Sequence, residues 1–334
     1  MSKYEAKKVT EGSVELDCLV CAETGAEIRV APKNGLNMTS WIVGGQDLLW
    51  KPEGFFSKKP GETLGWGGSP LLFPAVGRTH DLTANPPVTG QYKVNKNGPV
   101  FQMPIHGLGG LLSWELEKSG MPEVEKGEEM PDMGILQYRC VIPDAVKKAN
   151  YPFDIDFRVS YGLSKEEVFV AFEALSVNGQ NAHFAFGIHP FLAVSSRKGL
   201  VLTVPSKHVC ELAPGLGIPA KPGTAQRSDD YSSGRELDLS KGIDRVFMAV
   251  GQGETVLADK GAGRKFVLKS DAVFDHCVVY TDEKGPFLCV EPWTSGLGGF
   301  CYMSDRTKFG FCGMPRVNGE ETAAGSVSLS VAKL

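Results

Sequence analysis

Apolar and polar positions alternate with a period of two along much of this chain. Phe153-Asp-Ile-Asp-Phe-Arg-Val-Ser-Tyr161 does so without a break, and Ser326-Val-Ser-Leu-Ser-Val331 repeats the pattern near the C-terminus. That period predicts half-buried strands. Glu167–Phe172, Lys265–Leu268 and Cys277–Tyr280 are shorter runs rich in β-branched and aromatic residues, bounded by turn formers. Two further apolar runs, His183–His189 and Phe287–Trp293, read as buried strands that carry ionisable residues. No long segment holds a helical period, and 40 glycines and 21 prolines punctuate the strands. The pattern predicts an all-β protein, a large antiparallel β-sandwich whose sheets face each other across one core.

Length changes this picture little: 334 residues allow one large β domain or two smaller ones. Two polar stretches, 115–131 and 214–235, are rich in Gly, Pro and charge and read as surface loops rather than linkers. Residues 1–334 are therefore read as a single domain. Long loops on a β scaffold often line a binding site, and whether 215–235 acts as a lid stays open. The net charge of −4 carries no basic stripe, which argues against nucleic acid as a partner. The polar start, Met-Ser-Lys-Tyr-Glu-Ala-Lys-Lys, has no apolar signal region, and no apolar run is long enough to span a membrane. A cytoplasmic protein, monomeric or homodimeric, is expected. Eight cysteines lie mostly among apolar strand residues and read as free buried thiols. The one CxxC, Cys18–Cys21, lacks a second ligand pair, so no metal is expected.

Three segments concentrate the candidate chemistry: Pro104–Gly110, Gly187–Phe191 and Cys289–Thr294. Burying an ionisable group costs several kcal/mol unless it is paired, on the order of 3–5 when a partner is missing. Alternation puts Cys289, Glu291 and Trp293 on one face of their strand and Leu288 and Val290 on the other. A carboxylate beside a tryptophan suits a sugar pocket; a salt-bridged glutamate in a loop is the plainer reading. His189 shares a face with Ala185 and Gly187, whose small size leaves room for a ligand; a structural histidine before a proline fits equally. His106 precedes three glycines within four residues, which permits close ligand approach or simply a turn. Arg78 closes an apolar Gly/Pro-flanked run and offers a fixed donor fork, unless it lies on the surface. Asp244 opens another strand, where turn chemistry is the alternative.

In this order, the pieces resemble the aldose 1-epimerase (galactose mutarotase) family from about Leu64 to the C-terminus. The resemblance rests on Pro70–Arg78, Asn97-Gly98, Met103–Gly107, the His-Pro-Phe of 189–191, Ile243–Phe247, Val290–Trp293 and the closing Asn318-Gly-Glu320. The His-Pro-Phe and Glu-Pro-Trp forms are nearer a bacterial branch whose substrate is undefined. The resemblance implies a β-sandwich with a cleft on one concave sheet. It also implies Glu291 as catalytic base, His189 as catalytic acid, His106 as an assisting histidine, and Arg78 and Asp244 as ligands of sugar hydroxyls. Trp66, Phe191 and Trp293 are further candidates for pocket walls.

The implied reaction opens and recloses a hexopyranose ring by paired proton transfers and requires neither cofactor nor metal. Its pH–rate curve should be bell-shaped, falling as Glu291 protonates and as His189 loses its proton. Two alternatives stand beside it. A hexose 6-phosphate mutarotase would need converging cations, for which Arg245, Arg227 or Lys221 are available. A non-catalytic carbohydrate-binding or regulatory protein could use the same scaffold.

Overall fold

The structure is a computed structural model. It describes residues 3–122, 131–177, 179–222, 224, 226–227, 231–283, 285–319 and 321–334. Every strand pair within its sheets is antiparallel. A nine-stranded sheet is centred on Ile155–Ser164, Glu167–Ser176 and Thr322–Lys333, with Arg264–Ser270 beyond them. The predicted runs Glu167–Phe172, Lys265–Leu268 and Ser326–Val331 lie within these strands, whereas the run 153–161 is shifted: its strand opens two residues later, at Ile155, and continues to Ser164. An eight-stranded sheet is built around Ile243–Met248, His276–Thr281 and Phe287–Trp293. An N-terminal five-stranded meander packs against the long sheet. There the Tyr161 hydroxyl donates to the Leu36 carbonyl and the Trp41 indole N–H to the Glu166 carbonyl.

The large sheets face each other across one apolar core. Phe157, Val159, Val170, Phe172, Phe266, Val327 and Leu329 enter it from the long sheet; Phe247, Cys277, Val279, Leu288 and Val290 enter it from the other. Phe157 and Phe172 stack at 5.8 Å, and Phe73 stacks on Phe157 at 4.0 Å. Fully burying such a ring is worth about 1.5–3 kcal/mol. The alternate residues of Phe287–Trp293 thus point away from the core, onto the outer face of the eight-stranded sheet.

Three expectations change. Residues 115–120 are not loop: Ser113–Gly120 is the edge strand of the long sheet, paired with Gly134–Val141 across a bulge at Leu116–Lys118. Its charged side chains suit an exposed edge, which they protect from further pairing; residues 123–130 of that stretch lie outside those described. Within 214–235, Gln226–Arg227 pairs with His208–Val209, and Arg235 begins a strand against Leu200–Leu202; residues 223, 225 and 228–230 lie outside. The run 183–189 is two short strands in different sheets. His183 pairs with Arg316, whereas Gly187 pairs with Trp293 and Leu72. Between them, the Phe184 and Ala185 N–H groups donate to the Pro315 and Pro74 carbonyls. No helix among the described residues is long and apolar enough to cross a membrane.

Candidate functional site

Strand register brings the central pair together. Gly187 lies opposite Trp293, and Phe191 lies opposite Cys289. Midway between them, His189 faces Glu291, and Pro190 interrupts the ladder beside it. The other edge of Phe287–Trp293 sets Val278 opposite Glu291 and Tyr280 opposite Cys289. One strand further out, Asp244 is the partner of Tyr280 and Val246 of Val278. One face of the sheet therefore carries adjacent rows, Phe191–Cys289–Tyr280–Asp244 and His189–Glu291–Val278–Val246.

A cleft open to solvent lies over these rows. Trp66, Arg78, His106, His189, Asp244, Glu291 and Trp293, all expected from sequence, line it. Phe191 does not: it stacks behind His189, with ring centroids 4.7 Å apart and planes 10° apart, and lines an adjoining cavity that shares Trp66, His106 and His189 with the cleft. Tyr280 was missed by sequence reasoning. It lines the cleft and stacks on Trp66 at 5.5 Å. Its signal was the alternation of Cys277–Tyr280, which is invisible as cleft chemistry until register is known. Leu212 and Gly217, from the stretch after Cys210, also reach the wall.

Glu291 and His189 are 1% and 4% exposed, and Nε2 of His189 is 3.3 Å from Oε1 of Glu291. The other atoms of the pair, Glu291 Oε2 and His189 Nδ1, are buried without a hydrogen-bond partner in the protein, as is the Trp293 indole nitrogen. Burial drives Glu291 well above the ordinary carboxylate range, and the Asp244 charge adds to that effect. Burial likewise drives His189 well below the ordinary imidazole value, helped by His106. Both shifts favour the uncharged forms, with a proton on the carboxyl and none added to the ring.

His106 is held by two bonds to Gly77: its backbone N–H donates to the Gly77 carbonyl at 2.9 Å, and Nδ1 accepts from the Gly77 N–H at 3.2 Å. A backbone donor on Nδ1 assigns the ring proton to Nε2. His106 has φ 63°, the left-handed region where a non-glycine residue is uncommon and strain collects at functional sites. Desolvation, then the Arg78 charge, lowers its pKa to about 4. Its ring lies 5.3 Å from that of His189. Asp244 is raised by desolvation, with Arg78 opposing the rise. The stem of Arg78 packs beneath the loop backbone at Gly217, where a Cβ would come within 3.0 Å of it.

Among curated proteins, none matches the sequence at a significant level. Solved structures do share the fold. A protein from Synechocystis sp. PCC 6803 is 20% identical with a TM-score of 0.74, covering 99% of this chain and 96% of its own. A galactose mutarotase-like protein from Clostridium acetobutylicum is 17% identical with a TM-score of 0.73, covering 99% of each. A galactose 1-epimerase from Lactobacillus acidophilus NCFM is 14% identical with a TM-score of 0.70, covering 100% of this chain and 99% of its own. The family model for aldose 1-epimerase matches residues 31–324. With that match extending over most of its length, the chain belongs to the aldose 1-epimerase family.

Proposed function

We propose that the protein is a mutarotase that interconverts the α and β anomers of a free hexose. The observation that carries this reading is the buried Glu291–His189 contact at the floor of an open cleft. Glu291 takes the proton of the anomeric hydroxyl while His189 protonates the ring oxygen. The bond from that oxygen to the anomeric carbon breaks, the aldehyde rotates, and closure on its other face returns both protons. His106, neutral with its proton on Nε2, donates a hydrogen bond to a sugar oxygen. Arg78 and Asp244 hold hydroxyls, and Trp66 and Trp293 form apolar walls.

The electrostatics suit the ring-opening step. Before it, the pair is a carboxylate and an imidazolium; after it, a carboxylic acid and a neutral imidazole. Burial favours the uncharged pair at rest, so the proton first passes from Glu291 to His189 across their 3.3 Å contact, at a cost, and ring opening returns the pair to its uncharged form. Each proton transfer by a positioned group is typically worth about 10²–10⁴-fold.

The same reasoning reverses the sequence-based assignment of the pH limbs. The active unit holds one proton, and its titration steps belong to the pair. The acid limb is the gain of a second proton, accommodated on His189 and displaced well below 6.5. The alkaline limb is loss of the last proton from Glu291, displaced well above 4.5. A broad plateau spanning neutrality is expected in kcat against pH; a narrow optimum with its alkaline limb near the ordinary histidine value would reject this assignment.

Charge favours an unphosphorylated sugar. Arg78 is the one cationic side chain among the described cleft-lining residues, its charge acts on Asp244, and Glu291 adds a second carboxyl to the same lining. Arg245 lies over the Tyr231 ring at 5.2 Å, on the strand face opposite Asp244. Polarimetry with α-D-glucose, α-D-galactose and glucose 6-phosphate tests the reading. Acceleration of a free sugar that Glu291→Gln loses is expected. Preference for the phosphate would overturn the substrate assignment. Binding with no acceleration of any sugar would favour a non-catalytic carbohydrate binder.

A further inference from the structure

Cys289 has no task in the proposed reaction, yet it is fully buried beside the acid–base pair. It sits two residues before Glu291 on the same strand face. Its thiol, a ring nitrogen of His189 and a carboxylate oxygen of Glu291 all lie within 4.8 Å of one another. No other cluster of three such ligand types was found among the described residues. A thiolate, an imidazole and a carboxylate are the donors zinc takes, at about 2.0–2.3 Å each. Two nitrogen or oxygen ligands at about 2.1 Å from a tetrahedral zinc stand about 3.4 Å apart; His189 Nε2 and Glu291 Oε1 are 3.3 Å apart. The remaining atoms of the pair, Glu291 Oε2 and His189 Nδ1, are buried and make no hydrogen bond of ordinary geometry in the protein, with only the nearby Trp293 indole acting on the carboxylate, so a turn of either side chain can offer a free donor atom to a metal. Cys289 and Glu291 share one strand, and His189 sits in the short break between Gly187–Ile188 and Phe191–Ala193 beside it; the Cys289 thiol, within 4.8 Å of both partners, reaches a zinc ligand spacing of about 3.6 Å by side-chain movement alone.

We propose that His189, Cys289 and Glu291 form a site for Zn²⁺, with the fourth coordination position facing the cleft. Because two of its ligands are the proposed acid–base pair, zinc and sugar exclude each other, and zinc acts as a reversible inhibitor. The inhibitory part rests on the mutarotase reading; the binding part does not.

Co²⁺ serves as the optical probe for the site. Titrating it into the protein should give a thiolate-to-cobalt charge-transfer band that saturates at one equivalent and disappears when Zn²⁺ is added. Cys289→Ser should abolish the band, and Glu291→Gln should weaken Co²⁺ binding at least tenfold. Absence of a saturating band, or a band undiminished in Cys289→Ser, overturns the site. If Cys289→Ser fails to fold, unchanged Co²⁺ affinity in Glu291→Gln overturns it instead. Mutarotation is then measured with and without Zn²⁺ at the occupancy the titration defines. Competitive inhibition reversed by a chelator is expected; full activity at full occupancy refutes inhibition. Metal-free protein that binds Co²⁺ as described but accelerates no sugar removes the mutarotase reading and leaves the metal site standing.

Discussion

Glu291 is a residue whose proposed work opposes its own stability. Its folded-state pKa lies above the ordinary 4.5, so the stability linked to it is complete below 4.5 and is lost as pH rises through the folded value. Near neutrality, Glu291→Gln removes that cost while leaving an amide that can donate to neutral His189. The variant should lose about 10²–10⁴-fold in kcat and melt at least about 2 °C higher than the parent. A lower melting temperature with normal far-ultraviolet dichroism would show that the carboxyl is held ionised by contacts stronger than burial. His106 carries the opposite sign. Its pKa falls to about 4 on folding, so the folded state loses stability as pH drops from 6.5 toward 4, by at most about 3 kcal/mol. His106→Gln should flatten the decline in melting temperature between pH 7 and pH 4.5; an unchanged slope would place the loss in His183, His189 and His276, which burial also lowers.

At the level of elements, the floor of the cleft depends on a missing side chain. Gly187 lies opposite Trp293, and a Cβ there would come within 2.7 Å of the Trp293 ring and 3.0 Å of the Pro292 carbonyl. Its backbone is ordinary, so the demand is for space. Gly187→Ala should displace Trp293, cost about 1–3 kcal/mol, and raise KM more than it lowers kcat; denaturant midpoint, tryptophan fluorescence and sugar kinetics together check this. The long strands of the core were legible from alternation, and Phe287–Trp293 was read with its observed ends and facing. Short elements were not. Leu71–Leu72, Gly187–Ile188 and Phe191–Ala193 are two or three residues long, too short for a period to show, and tertiary pairing alone defines them. The edge strand Ser113–Gly120 escaped notice because its charges, which serve an exposed edge, also resemble a loop. In the site, His189 and Glu291 were nameable from residue type, but their contact was not, since register is a property of two strands. Tyr280 and the retreat of Phe191 behind His189 were hidden for the same reason.

For the whole molecule, the apolar core runs from Tyr4 in the first strand to Leu329 in the last, linking the meander to both large sheets. We expect residues 1–334 to unfold as one unit. Differential scanning calorimetry should give a single transition whose calorimetric and van't Hoff enthalpies agree; two resolved transitions would divide the chain into domains. Seven of the eight cysteines are buried free thiols, with Cys210 partly exposed, so thiol labelling of the native protein should favour Cys210.

Since His189 and Glu291 meet through strand register, catalysis reports on folding fidelity. Sliding Phe287–Trp293 by one residue would turn Glu291 into the core and bring Val290 to the cleft. No graded approach to the working arrangement exists: a molecule is in register and competent, or out of register and inert. In a refolding time course, turnover should therefore return as a count of correctly paired molecules, each with full specific activity, and a misregistered population would be silent rather than slow.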